Sequence, residues 1–253
     1  MSLVWVYAVQ DSGAGDPPEV SGVDGERPRL VVAERLGAVV GTVADERFDE
    51  AGLAAAMADL GRVEMLVRAH HRVVAATAQD RTVAPVRLAT VFRDDDAVVV
   101  MLRERRDAFH GVLDRVRDRR EWGVKVYVDT AAAVPDTAPE PGPAAAADRP
   151  GTSYLLRRRA DRDRGAAARG RARAVADRVA GVAGEHAAEV RRFAPQDARL
   201  SGRAEEMVLN ATFLVDRAGE QDFRDAVSSA GTGVIVEVTG PWPPFSFADE
   251  GGS

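Results

Sequence analysis

An α+β protein of two domains, each a mainly antiparallel sheet packed with helices in a ferredoxin-like variant, is what this sequence predicts. Three observations predict it. Short alternating apolar runs recur along the chain, and between them lie stretches whose apolar residues follow the three-and-four spacing of amphipathic helices. Both halves end in strand–helix–strand, and both last strands open on Gly-Val: Gly123-Val124-Lys125-Val126 and Gly233-Val234-Ile235-Val236. Between the halves, residues 130–150 turn abruptly to Ala, Pro, Gly and Asp without periodicity, which marks a linker that is semi-rigid where proline is dense. The expected organisation is an N-terminal α+β domain over 1–129, the linker over 130–150, a C-terminal α+β domain with a long leading helix over 151–247, and a disordered tail over 248–253.

Element by element, Leu3 to Val9 alternates large apolar and aromatic residues and predicts a strand. Gly13 to Pro28 is rich in Gly, Pro and acids and predicts a loop. Leu30 to Ala33 and Leu36 to Val43 are short β-branched runs around Arg35, two strands or a hairpin. Asp49 to Leu60 predicts a helix. A second helix follows, with Val63, Leu66, Val67, His70, Val73 and Val74 on one stripe. Thr82 to Thr90 returns to strand character, with Pro85 pointing to an edge or a bulge.

Asp94-Asp95-Asp96 is placed to start the next helix, because carboxylates favour the positive end of the helix dipole. Its stripe continues through Met101, Leu102, Arg105, Phe109, Val112, Leu113 and Val116. Glu121 to Asp129 alternates, with Trp122, Val124, Val126 and Val128 on one side, as a half-buried strand does. Beyond the linker, Ser153 to Phe193 predicts a helix on which Val175, Val179, Val182, His186, Val190 and Phe193 recur at helical steps, with a break or fraying expected at Gly165 and Gly170. Unbroken, it would span about 60 Å at ~1.5 Å per residue. Glu206 to Val215 predicts a strand, Gly219 to Ala230 a helix and Val234 to Thr239 a strand, before the tail Gly240-Pro241-Trp242-Pro243-Pro244-Phe245-Ser246-Phe247.

Composition narrows the function classes. The chain has 253 residues, 45% hydrophobic and 29% charged, which fits folded domains and neither a disordered nor a membrane class. Its longest apolar runs, such as Ala97 to Leu102, fall far short of the ~20 residues a span needs. The start carries no basic region or small-residue cleavage site, so no signal peptide is expected. Cysteine is absent, which removes disulfides, thiolate metal sites and cysteine nucleophiles and fits a cytoplasmic protein. The net charge of −6 argues against a general nucleic-acid role. Lys125 is the only lysine, and the arginine-rich composition fits a GC-rich genome more simply than a set of guanidiniums chosen for bidentate contacts.

No catalytic, cofactor-binding or metal-binding residues are nominated. His70 and His71 are adjacent, so on a helix they point about 100° apart and cannot share one metal. His70 reads as part of a packed helix face, and His110 and His186 as single structural residues. No G-x-G-x-x-G follows a strand, no Walker A sequence exists, and no serine sits in a G-x-S-x-G elbow. Gly231-Thr232-Gly233 reads as a helix end with a turn. Arg157-Arg158-Arg159 with Arg162, Arg164, Arg169, Arg171 and Arg173 admits a phosphate-binding reading. Asp161 and Asp163 interleave and no aromatic stacking residues follow, so a solvated helix surface is the simpler account. The tail alternates prolines with aromatics. Exposed, it would be a docking strip, and Trp242, Phe245 and Phe247 are the protein-contact candidates. The competing reading folds the tail back so that its rings fill a groove between the domains.

Six segments carry a resemblance. Arg68-Ala69-His70-His71, Val83 to Phe92, Glu121 to Val128, Gly151 to Arg158, Val208 to Val215 and the Gly-Pro-Trp-Pro-Pro-Phe-Ser-Phe tail resemble, in order, the gas vesicle protein F/L family. The resemblance runs from about Val4 to Phe247. It implies a two-domain α+β accessory protein for building gas vesicles, cytoplasmic and associated with them, that contacts the hydrophobic shell-forming subunit and other accessory proteins. The family has no established catalytic residues, so none are carried over. The alternative is a minor structural component of the shell, which would survive stringent washing of purified vesicles. A third reading, an arginine-mediated nucleic-acid binder, requires retention on nucleic acid that falls steeply with salt.

Overall fold

Every side chain of β1 (Ser2–Asp11) from Val4 to Gln10 is buried, so this strand needs cover on both faces and partners on both edges. In the computed structural model, which describes residues 2–128, 150–196, 203 and 205–248, it has them. β3 (Leu36–Ala44) pairs with one edge of β1, β4 (Val83–Pro85) and the short β5 (Val91–Phe92) pair with it as well, and β2 (Arg29–Ala33) lies outside β3. All four pairings are antiparallel.

The β1–β3 register slips between Val6 and Ala8, so Tyr7 is the extra residue of a bulge. Its hydroxyl accepts from the Val23 amide at 2.8 Å and donates to the Glu26 carboxylate, pinning the Gly- and Pro-rich loop that follows β1. Glu26 fits there because Gly22 and Gly41 lack a Cβ; one added at either would overlap its carboxylate. Gly41→Ala is therefore expected to push Glu26 off Tyr7 and destabilise the chain by about 1–3 kcal/mol. Urea denaturation checks this, and a loss under about 0.5 kcal/mol, as at an ordinary surface site, would contradict it.

Five helices pack with this sheet: α1 (Asp45–Phe48), α2 (Glu50–Met57), α3 (Leu60–Ala78), α4 (Asp95–Glu104) and α5 (Arg106–Val116). Asp49 caps α2 by accepting from Gly52 N at 2.7 Å, and Asp94 caps α4 by accepting from Ala97 N at 2.8 Å. The aspartate run is thus a helix start, with Asp95 also gripped by both guanidinium nitrogens of Arg29 at 2.9 and 2.7 Å. The single helix expected from Asp94 to Val116 is broken at Arg105, whose ψ of 19° leaves the helical region. The strand expected over Thr82 to Thr90 stops at Pro85. Ala89 then takes a left-handed φ of 64°, and pairing with β1 resumes only at Val91. Trp5, Tyr7, Phe48, Leu66, Val73 and Val74 are central to this core.

The second sheet has the order β7–β8–β6–β9, from β6 (Arg119–Val128), β7 (Glu189–Arg192), β8 (Glu206–Asp216) and β9 (Ile235–Trp242). With α6 (Pro150–Glu185) after β6 and α7 (Glu220–Ala230) after β8, the succession is strand–helix–strand–strand–helix–strand, the ferredoxin-like arrangement. β8 buries Met207, Leu209, Ala211 and Phe213 at alternate positions. Phe213 meets Phe223 of α7 at 5.5 Å between ring centroids, and Trp122 meets the same ring at 6.1 Å.

Two expectations change here. α6 runs through Gly165 and Gly170 without a break, carried by flanking Ala and Arg, both strong helix formers. It ends at Glu185 and not at Phe193, because Glu189–Arg192 form an antiparallel strand with β8, Glu189 opposite Leu214 and Arg192 opposite Ala211. Val190 and Phe193 fit helical spacing, but strand pairing satisfies the same backbone groups, and both side chains end up exposed.

Backbone proximity divides the chain into one unit of Met1–Glu121 with Pro241–Ser253, and a second of Trp122–Gly240. The division cuts through two strands of the second sheet: the first three residues of β6, Arg119–Glu121, and the last two of β9, Pro241 and Trp242, fall with the first unit. The linker over 130–150 lies outside the described residues except for Pro150, which opens α6, as does the tail beyond Ala248.

Candidate functional site

α3 begins at Asp59, whose carboxylate accepts from Gly61 N and Arg62 N at 2.9 and 3.2 Å. Its apolar residues cover more than one stripe. Leu66, Ala69, His70, Val73, Val74 and Thr77 are buried. Leu60 and Val67, seven residues apart and so nearly aligned along the helix, are 87% and 45% exposed. His71, one turn after Val67, extends that exposed stripe.

His70 is a core residue. It is 3% exposed, its Nδ1 accepts from Trp5 Nε1 at 3.0 Å, and its Nε2 lies 3.1 Å from the Val86 carbonyl, to which it donates. The two bonds fix the neutral tautomer with the proton on Nε2. Burial pushes its pKa down to about 4, against a smaller opposing effect of the Val86 carbonyl. His71 is partly buried, and burial lowers its pKa too.

The aromatic tail docks beside these histidines, in the same unit. Trp242 meets His71 edge-on at 5.4 Å and 74°, and Phe245 stacks on His71 at 5.6 Å and 20°. Pro243 and Pro244 are buried, and Phe245–Phe247 close a 3-10 turn with Phe247 N donating to Pro244 O at 3.1 Å. Ser246 donates twice to the Glu121 carboxylate, from N at 2.7 Å and from Oγ at 2.6 Å. Arg115 donates to the Phe247 carbonyl at 2.8 Å. Val67, His71, Val86, Leu88 and Phe245 line an open cleft of about 280 Å³ on this face.

The three contact candidates therefore have different situations. Phe247 is fully buried, Phe245 half-buried against the histidines, and Trp242 43% exposed. The sequence reading places Val67 in the packed stripe and Leu60 at the end of the preceding helix, so it misses the outward stripe. Apolar residues on more than one side of α3 are the signal that could have found it. Of the arginine run, Arg158, Arg159, Arg162, Arg171 and Arg173 are exposed on α6; the side chains of Arg157, Arg164 and Arg169 lie outside the described residues. Among the described residues no group of three or more His, Asp or Glu is placed to hold a metal ion, and no helix is long and apolar enough to cross a membrane.

Fold and site together define a two-unit α+β protein, its second sheet in the ferredoxin-like arrangement, with an apolar helix stripe bordered by an anchored aromatic tail. The chain belongs to the gas vesicle synthesis protein GvpL/GvpF family, whose pattern matches residues 3–249. It is 43% identical over 249 residues to gas vesicle protein L of Streptomyces sp. (strain CB03234), covering 97% of this chain and 92% of that protein. To gas vesicle protein F of the same organism it is 27% identical over 255 residues, covering 97% and 99%. Its fold is that of the crystal structure of GvpF from Anabaena sp. PCC7120, with a TM-score of 0.67 at 19% identity over 100% of this chain and 98% of that one. Family membership supports a role in gas vesicle assembly.

Proposed function

We propose that the chain is a non-enzymatic, cytoplasmic accessory protein that binds the hydrophobic shell-forming gas vesicle subunit during assembly, alongside other accessory proteins. The observation that carries this reading is the exposed apolar stripe of Leu60 and Val67 on α3, extended by Trp242 against His71. A subunit that buries apolar surface only against copies of itself is aggregation-prone before it assembles. An apolar stripe with an aromatic anchor offers that surface a temporary partner, and such anchors dominate interface energetics. The overall charge of −6 keeps the carrier itself in solution.

Co-expression with the shell subunit tests the reading. The wild type is expected to co-purify with the subunit and raise its soluble fraction. The double substitution Leu60→Glu with Val67→Glu is expected to lower capture about tenfold or more, since it places two charges in an apolar contact. Both positions face solvent, so thermal stability should hardly change. Undiminished capture by the double variant would remove α3 from the interface; no capture by the wild type would refute the function proposed.

A further inference from the structure

A second cleft in the first unit, of about 450 Å³, is lined by Asp11, Ser12, Gly13, Arg35, His110 and Arg117. These residues come from the end of β1 and the turn after it, the tip of the β2–β3 hairpin, and α5 with the residue that follows it. Ser12 N donates to the Arg35 carbonyl at 2.9 Å, tying two rims together. The hairpin tip is unusual. Glu34 and Arg35 both take left-handed φ, 51° and 65°, where a two-residue turn of this geometry normally has Asn-Gly. Glu34 faces Arg103 and Arg106 at 3.8 and 3.9 Å.

Several polar groups on this cleft make no hydrogen bond among the described residues, although charge couples Asp11 to Arg117 and His110 to Asp107. Among the described residues, Arg35 has no ion-pair partner, and the side chains of Asp11, Ser12 and His110 make no hydrogen bond. Asp11 stands at the cap position of the turn Ser12–Ala14 without its side chain capping it. Arg117 is held by Asp114 at 2.8 Å. Although the whole chain is acidic, the stretch Arg103–Arg120, which supplies His110 and Arg117 to the cleft, carries seven arginines against four acids.

We propose that this cleft binds a small oxyanion of the phosphate class that carries a proton. The guanidiniums of Arg35 and Arg117 supply charged donors in the fork geometry suited to phosphate oxygens, and Ser12 and His110 add donors beside them. Asp11 selects among anions. An ionised carboxylate only accepts hydrogen bonds, so it repels an anion with no proton and accepts the O–H of a hydrogen phosphate. No phenylalanine, tyrosine or tryptophan lines the cleft to stack a base, so recognition is confined to the phosphate group.

Isothermal titration of the intact chain with inorganic phosphate and with sulfate, at matched ionic strength and neutral pH, tests this. Saturable phosphate binding is expected, with sulfate about tenfold weaker or more because it has no proton to give Asp11. Arg35→Gln should weaken phosphate binding about tenfold or more by removing a charge-assisted contact. Asp11→Asn, whose amide can donate as well as accept, should bring sulfate and phosphate close to equal affinity. Circular dichroism confirms that both variants are folded; if Arg35→Gln or Asp11→Asn is not, His110→Gln serves in its place and should weaken phosphate binding. Absence of saturable phosphate binding, sulfate binding as tight as phosphate, an Arg35→Gln affinity equal to wild type, or selectivity undiminished in folded Asp11→Asn would each overturn the proposal.

Discussion

Phe247→Ala is expected to destabilise the chain by about 3–5 kcal/mol, the usual range for truncating a buried phenylalanine. The ring has no exposed surface. Its carbonyl takes the Arg115 hydrogen bond, and its neighbour Ser246 gives two hydrogen bonds to Glu121, a carboxylate only 6% exposed. If the turn loosens when the ring is lost, Glu121 gives up two donors that help to offset its burial, so the effect should spread beyond the cavity itself. Trp242→Ala removes a half-exposed ring that meets His71 edge-on, and should cost about 1 kcal/mol. Urea denaturation of the two variants side by side measures both. Equal and small losses would show that Phe247 does not anchor the tail. The same pair separates two roles: Trp242→Ala should reduce capture of the shell subunit far more than it reduces stability.

Acid should weaken the fold through His70. The group is neutral in the folded chain with a pKa near 4 and returns to about 6.5 when unfolded. Between those values the unfolded chain binds the extra proton, so this contribution is fully present above about pH 6.5 and is lost as the pH falls to about 4. With a tenfold change in proton affinity equivalent to about 1.4 kcal/mol, it is worth up to about 3 kcal/mol. The geometry gives the reason. A second proton on His70 would sit on Nδ1, where Trp5 Nε1 already points its own hydrogen at 3.0 Å. Denaturation curves at several pH values from 7 to 4, for wild type and for His70→Gln, isolate this effect from the general protonation of carboxylates. The variant should be less stable at pH 7 and should lose less on acidification. Parallel profiles for the two proteins would exclude His70 as the titrating group.

Much of the fold is legible along the chain because periodicity is a local property. The strand of Leu3 to Val9, the helix stripe around Val73 and the capping aspartates at Asp94 can each be recognised within a dozen or so residues. Errors fall where two structures suit one pattern. Val190 and Phe193 continue the spacing of α6, yet Val190 lies in a strand and Phe193 just beyond it, because β8, more than a dozen residues away, offers that backbone partners. Arg105 breaks a stripe whose spacing would have run straight through it. The site was half legible: the tail's aromatics announce themselves, but their unequal burial does not, since it depends on His71, Arg115 and Glu121 far back in the sequence.

Family membership, most of the succession of helices and strands, and the absence of cysteine chemistry were contained in the order of residues, because each rests on short-range pattern or on residue identity. Which apolar stripe of α3 faces water, which unit receives the closing prolines and phenylalanines, and how Asp11, Arg35 and Arg117 come to share one cleft could be settled only by folding. Burial and proximity are relations between residues distant along the chain, and a stripe of apolar side chains carries no record of which partner will cover it.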